Sequence, residues 1–371
     1  MEEKFLLRNV YSTKGVSHLA ANIKAVYNEF DDKGFCSVVN SKLESLGFGD
    51  RGNLISNSLD RFLPKDFEKA ANILLKALPP AGSEELKGYE GFIIIPQAGF
   101  ISRNGMDYFD LSIKVLFEMT LRFSTENDIR PFLIRYPEKT IARLKELARH
   151  PHALGRRLAS EGTRPRLPLC GRLDIFIKDP SPVLEILEIL KDDPALVVRR
   201  SVANNLNDIS KDNPEVVVET LTRWKKNASP EREWLINHSL RTLYKMGHPK
   251  ALELQGYPVQ TEISLNSFSI SKKAISLGES LGLDFILENK GDSPVKLMID
   301  YGVHFKKANG TNKLKVFKLS KKTLEPRQQI KFKKSVPFVP INTRVFYPGD
   351  HIIDLRVNGN VLGSCNFHLS L

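Results

Sequence analysis

One stretch of this 371-residue chain gathers more reactive side chains than any other: Arg156-Arg157-Leu158-Ala159-Ser160-Glu161-Gly162-Thr163-Arg164-Pro165-Arg166-Leu167-Pro168. A single carboxylate, Glu161, stands among four arginines at the end of a short helix, just ahead of two prolines that stiffen the chain. Guanidinium forks grip phosphates, and Arg164 and Arg166 bracket Pro165, which predicts extended geometry and two forks set for successive phosphates. Such a cluster around one anion fits an enzyme acting on nucleic acid. The plainer alternative is a helix end with an Arg157–Glu161 ion pair at i,i+4, worth a few tenths of a kcal/mol. Leu154, Leu158 and the prolines argue for a packed turn, not a loose surface.

A second carboxylate, Glu126, lies in Ser124-Thr125-Glu126-Asn127-Asp128-Ile129-Arg130-Pro131-Phe132. Thr125 and Asp128 have capping-box spacing, which predicts a helix start with Glu126 in its first turn, where the dipole favours an anion. Gly47-Phe48-Gly49-Asp50-Arg51-Gly52 formally matches a dinucleotide fingerprint. It follows the helical run Ser41–Leu46 with no strand before it, so it reads as a helix C-cap and a turn. No Ser–His–Asp set, phosphate loop or metal-ligand spacing is readable, and the sequence calls for no cofactor. Trp224 ends an amphipathic helix and reads as core.

These groups need a frame, and the first two thirds of the chain read as helices. Asp110–Arg122, Pro137–Ala148, Pro182–Leu190, Pro194–Ser210, Pro214–Lys225 and Pro230–Lys245 carry apolar residues at three-and-four spacing, most of them opening at a proline. Ala195, Val198, Val202, Leu206 and Ile209 form one such stripe. Aligning Pro151 with Pro194 lays Arg156-Arg157 on Arg199-Arg200 and Glu161 on Asn204, and Pro230 opens a weaker third copy. Repeats of this length belong to HEAT and armadillo arrays, whose helix pairs stack into a superhelix with a concave surface. Arg200, Asn204 and Asp208 fall four apart, predicting one polar stripe on the same inner wall as Glu161.

After Gly256-Tyr257-Pro258 the period changes to two. Leu281–Glu288, Val295–Tyr301, Lys313–Leu319, Gln329–Ser335 and His351–Val357 alternate between turn sequences such as Asn309-Gly310, which predicts a β-sandwich of immunoglobulin-like architecture. The expected organisation is therefore multidomain, α then β: residues 1–257 as a helical-repeat domain and 258–371 as the sandwich. Residues 259–371 hold 17 Lys/Arg against 9 Asp/Glu, so they carry +8 of the net charge of +12. Lys313, Lys315 and Lys318 crowd one hairpin with Lys306, Lys307, Lys321 and Lys322. They read either as phosphate contacts or as protection of an edge strand. Three distant cysteines suit a reduced, cytosolic protein. The charged start Met1–Phe5 does not read as a signal peptide, and the apolar run Gly91–Pro96 is too short to span a bilayer.

Arg157–Pro168, Val198–Ile209 and Glu126–Phe132 together resemble the AlkC family of bacterial DNA alkylation repair glycosylases, and the likeness extends in domain order to the β-rich C-terminus. The resemblance implies HEAT-like repeats that bind duplex DNA, an immunoglobulin-like domain that completes a clamp, and excision of cationic alkylated bases (3-methyladenine and 3-methylcytosine) without full base flipping. It implies acidic active-site residues at Glu161 and Glu126 with Asp208 as a third. Arg157 and Arg164 would orient the lesion-bearing backbone, Arg166, Arg199 and Arg200 would contact phosphates, and Asn204 would lie on the DNA-binding wall. It further implies a monomer in the bacterial cytoplasm, associated with the nucleoid. One position departs from the family pattern: a tryptophan is expected after Pro168, and Leu169 stands there. An aliphatic side chain fills space but offers a cationic base no electron-rich face.

Overall fold

The computed structural model describes residues 6–81 and 90–371, so the start Met1–Phe5 lies outside the described residues. Helices from Thr13–Val26 to Pro249–Leu254 are followed by eight strands, the helical-then-β architecture that the sequence patterns predict. Helix gives way to strand between Leu254 and Ile263, whereas compactness divides the chain into Met1–Asn213 and Pro214–Leu371. The helices after Asn213 belong with the strands because side chains tie them there. The ammonium of Lys321 donates to Asn237 Oδ1 at 3.2 Å and lies 5.2 Å from the ring centre of Tyr257.

In the first unit the apolar stripes do what their spacing predicts. Val198, Val202, Leu206 and Ile209 are all buried on one face of the helix Leu196–Ile209. The helix Ala153–Glu161 packs against Pro137–Leu147, Ser181–Leu190 and Leu196–Ile209. The internal repeat is visible in hydrogen bonds as well as in sequence. Arg156 Nη1 donates to the carbonyls of His150 and Pro151 at 2.9 and 2.7 Å, and Arg199 Nη1 donates to those of Asp193 and Pro194 at 2.7 and 2.8 Å. Each arginine thus closes the turn ahead of its own helix, and the alignment of Pro151 with Pro194 maps one arrangement onto the other. Two local expectations differ. Gly47-Phe48-Gly49 opens the helix Phe48–Phe62 instead of closing the one before it, and Pro230–Lys245 is broken at Leu240 into Pro230–Ser239 and Arg241–Met246.

The strands are β1 (Ile263–Ile270), β2 (Ala274–Ser276), β3 (Ser280–Asn289), β4 (Val295–Lys306), β5 (Asn312–Leu324), β6 (Gln329–Pro337), β7 (Gly349–Val357) and β8 (Asn360–Ser370). They form sheets of order β1-β3-β6 and β2-β8-β7-β4-β5, antiparallel except for β2 on β8. Between the sheets, Leu281 and Leu283 of β3 and Val336 of β6 pack with Tyr301, Val303 and Phe305 of β4, Ile353 of β7 and Phe367 of β8.

β5 is an edge strand, and its register separates the lysines. Lys313 and Lys315 pair with Phe305 and Val303, whose side chains face the core, whereas Lys318 pairs with Asp300, an odd number of residues along the strand and so on the opposite face. The three therefore do not form one stripe. Lysines on the inward side of an edge strand are a known device against edge-to-edge pairing.

Among the described residues no helix is long and apolar enough to cross a membrane, and no cluster of three or more His, Cys, Asp or Glu could hold a metal ion. Cys36, Cys170 and Cys365 are unpaired thiols.

Candidate active site

Glu161 is the last residue of the helix Ala153–Glu161, and its carboxylate is fixed at both oxygens. Oε1 accepts from Arg164 Nη1 at 2.6 Å, and Oε2 accepts from the Ser201 hydroxyl at 2.6 Å. Arg164 is itself buried and turns its Nε onto Asp208 Oδ2 at 2.8 Å, while Lys211 donates to Asp208 Oδ1 at 2.7 Å. Burial works against the Arg164 charge, but Glu161 and Asp208 outweigh it and hold the guanidinium above its usual pKa. Asp208, Arg164 and Glu161 thus form a chain of buried ion pairs that anchors the Glu161 side chain.

The segment after Glu161 runs as consecutive turns, not as the extended piece predicted around Pro165. The buried Arg130 sets that path: its Nη1 donates to the Arg164 carbonyl at 2.7 Å, and its Nη2 donates to the carbonyl of Gly171. Arg166 forks onto Asp212 at 2.7 and 2.6 Å, which lowers the carboxyl pKa of Asp212.

Glu126 comes to the same place by a different route. The α-helix after Thr125 starts only at Arg130, and residues 126–129 form a turn, so Glu126 does not sit in a first helical turn. Thr125 does not cap. Its hydroxyl lies 2.5 Å from that of Thr120 and donates to the Leu116 carbonyl at 3.1 Å. What brings this turn to the end of the Glu161 helix is Gly162. A Cβ there would stand 2.6 Å from Ile129 Cγ2 and 3.1 Å from the Leu158 carbonyl oxygen, so no larger residue permits the approach. Arg157 then lies between the two glutamates, with Nη1 3.4 Å from Glu126 Oε2 and Nη2 4.0 Å from Glu161 Oε1. Arg157 also donates to the Ser124 hydroxyl at 3.3 Å. The predicted Arg157–Glu161 pair is thus present but long, and Arg164 is the closer partner.

Glu126, Arg157, Glu161 and Arg164 line one cleft of about 710 Å³. Apart from Leu169, its other walls come from residues that the sequence patterns did not single out as a site. Asp128 is buried, accepts from the Ser102 hydroxyl at 3.4 Å through Oδ1, and has no partner for Oδ2. Burial, with Glu126 adding to it, pushes its carboxyl up to about 7. Tyr11, Phe48, Phe92 and Phe123 form a continuous aromatic wall, with Tyr11 stacked on Phe48 at 5.3 Å between centroids and Phe92 4.8 Å from Phe123. Leu169 sits on the rim, 86% exposed, with a left-handed φ of 63°.

Asp208, Arg166, Arg199, Arg200 and Asn204 are not among the residues lining the cleft. Asp208 lies behind Arg164, Arg199 holds its own helix start, Asn204 is half-buried and Arg200 is exposed. The predicted stripe of Arg200, Asn204 and Asp208 thus passes from solvent into the packed interior.

Comparison with known proteins places this geometry. Over 366 residues the chain is 35% identical to the Bacillus subtilis (strain 168) protein described as "Uncharacterized protein YhaZ", covering 98% of this chain and 99% of that one. Residues 264–371 match the family model "Uncharacterised protein YhaZ, C-terminal Ig-like domain". The structure superimposes on the Pseudomonas fluorescens alkylpurine DNA glycosylase AlkC, solved bound to DNA containing an abasic site analog. The TM-score is 0.91 and the identity 34%, over 99% of this chain and 100% of that one. The chain belongs to the AlkC family. In this chain Leu169 lines the same cleft as the two glutamates that flank Arg157.

Proposed function

We propose that this chain is a DNA glycosylase that excises cationic alkylated bases, 3-methyladenine and 3-methylcytosine, from duplex DNA in base excision repair, acting as a monomer and without turning the nucleotide fully out of the helix. The observation that carries the reading is the pair of carboxylates, Glu161 and Glu126, on either side of Arg157 in one open cleft of an AlkC-family chain.

An alkylated ring nitrogen already carries positive charge, so the base leaves without being protonated. As the C1′–N bond breaks, its electron pair neutralises the base and positive charge develops on the sugar. Water then adds to C1′ and gives up a proton. The protein must supply fixed negative charge beside the sugar and a group to hold the water. Glu161, immobilised by Arg164 and Ser201, suits the first task. Glu126 suits the second, because its contacts with Arg157 are long (3.4 and 3.5 Å) and its side chain is 22% exposed. Asp208 acts as a positioning residue through Arg164. Arg157 sets the distance between the carboxylates while its remaining donors face the backbone of the lesion strand. Phosphate contacts are assigned to Arg200 and to Lys313, Lys315 and Lys318 of β5, with Arg166, Arg199 and Asn204 supporting the helical framework around Arg200.

The test is a gel assay on a duplex with one methylated adenine, followed by alkaline cleavage. Glu161→Gln should lose most excision, by about 10²-fold or more, while DNA affinity stays near that of the wild type. A wild-type rate from this variant overturns the assignment. Leu169 favours a second reading, a non-catalytic HEAT-repeat protein that recognises DNA structure, and strand breaks from the wild-type chain would exclude it.

A further inference from the structure

The loop between β6 and β7 carries three aliphatic side chains that the sandwich leaves uncovered. Val339, Ile341 and Val345 are exposed, Val345 at 68%, although Phe338 and Phe346 in the same loop are buried. Ile341 and Arg344 pair across a tight turn, and Arg344 lies over the rim of the core. Its guanidinium carbon is 4.0 Å from the ring centre of Phe305, 5.5 Å from that of Phe346 and 5.6 Å from that of Phe317. The Nε is enclosed without a partner, but the Nη groups stay open at the surface, so they are the atoms that a ligand would meet.

Lys315 and Phe317 are two apart on β5 and share a face, which directs Lys315 towards the same rim as Arg344. Burial lowers the Lys315 pKa, and the charges of Arg344, Lys307 and Lys313 lower it further. Burial likewise lowers that of Arg344. Among the described residues no Asp or Glu forms an ion pair with any of these four cations. β5 pairs with β4 alone among the described strands, so the other edge of Lys313–Phe317 offers unpaired backbone groups.

Three needs thus meet at one end of the sandwich: cations without acids, aliphatic side chains without cover, and a strand edge without a neighbour. A nucleic-acid backbone supplies anions but leaves the aliphatic groups in water. An anionic lipid surface answers both of those needs yet cannot pair with a strand edge. An extended peptide that alternates carboxylates with aliphatic side chains answers all three. Inward lysines that repel a neutral or basic strand then select an acidic one.

We propose that the Lys313–Phe317 edge of β5, together with the loop that bears Arg344 and Val345, docks an extended acidic peptide of a partner protein. Its carboxylates meet Arg344 and Lys315, and its aliphatic side chains cover Val345 and Ile341. Lys315 is also among the phosphate contacts assigned above, so the test is placed on Arg344 and Val345, which that assignment does not use.

The probe is a fluorescein-labelled peptide alternating aspartate with valine, titrated against the full chain by fluorescence anisotropy. Peptides with serine for valine, or with asparagine for aspartate, are the controls. Saturable binding is expected, with each control at least about tenfold weaker, the worth of one charge-assisted hydrogen bond or one buried valine. Arg344→Gln and Val345→Ser should each weaken the aspartate–valine peptide by about tenfold and leave the affinity for an undamaged duplex unchanged. Val345 is exposed, so Val345→Ser stays informative if Arg344→Gln folds poorly. Absence of saturable binding by the wild type, equal binding of either control, or unchanged peptide affinity in Val345→Ser overturns the proposal. If Val345→Ser keeps the peptide but weakens the duplex, the surface belongs to nucleic acid. If it keeps the peptide but weakens binding to phosphatidylserine vesicles, the surface belongs to a membrane.

Discussion

The buried carboxyl of Asp128 makes stability depend on pH in a way that one substitution isolates. Its pKa rises from 3.8 to about 7 on folding because burial strips the charged form of water, with Glu126 opposing ionisation further. Below about pH 4 the group is protonated in both folded and unfolded chains and contributes nothing. Between pH 4 and 7 the unfolded chain ionises while the folded one stays neutral, so stability falls as pH rises, and above pH 7 the penalty is constant at ~4 kcal/mol. Asp128→Asn removes the titration but keeps an acceptor for Ser102, and its amide adds a pH-independent cost of about 1–3 kcal/mol if its N–H groups find no partner.

The quantity to compare is therefore the difference between variant and wild type at two pH values. From about pH 4.5 to pH 8 that difference should move by ~3 kcal/mol in favour of Asn, or roughly 6–12 °C in Tm for a unit of this size. Calorimetry paired with helical circular dichroism is the suitable assay, because both tryptophans, Trp224 and Trp234, lie in Pro214–Leu371 and report on the other unit. A Tm difference that stays flat across this range would show that Asp128 is ionised in the folded protein and that its surroundings are wetter than the structure has them.

Three further outcomes are expected. Gly162→Ala should force the 126–129 turn away from the Glu161 helix, lowering stability by about 1–3 kcal/mol and reducing excision of 3-methyladenine more than DNA affinity; unchanged excision would mean that the close approach does not set the glutamate spacing. Replacing Lys313, Lys315 and Lys318 together by Ala should weaken binding to all duplexes and flatten its salt dependence by up to about 0.9 per lysine that touches a phosphate. An unchanged slope, with more aggregation, assigns them to edge protection. Leu169→Trp should raise kcat/KM on a 3-methyladenine duplex by about fivefold if the rim meets the lesion, the worth of one added cation–π contact; equal or lower activity would show that the rim position no longer takes part.

What the sequence revealed follows from how far each signal reaches along the chain. Periodicity is local, so Pro137–Leu147 and Pro214–Lys225 were legible within a residue, as were the interiors of β3, β4 and β6. The repeat was legible because Arg156 and Arg199 do the same job in successive copies. Glu161 and Glu126 were marked by unusual neighbours and by family resemblance. Asp128 was misjudged because its spacing from Thr125 suggests a cap, and only the packing of Ser102 against it reveals burial. The aromatic wall was invisible for a similar reason. Tyr11, Phe48, Phe92 and Phe123 come from four separate segments, and no spacing rule links them. The charge of Arg164 and Arg166 suggested phosphate contacts, but sequence alone could not show that Asp208 and Asp212 already occupy both forks.

The matching roles of Arg156 and Arg199 bear on how such a protein can grow. Each copied helix arrives with two arginines, of which the first (Arg156, Arg199) is already engaged by the carbonyls ahead of it, so lengthening the array adds scaffold together with one further cation, half-buried beside Glu126 as Arg157 or exposed as Arg200. Most of the net positive charge lies outside the duplicated core, since residues 259–371 carry +8 of the +12. Array length and electrostatic grip can in that way change independently over the history of the family.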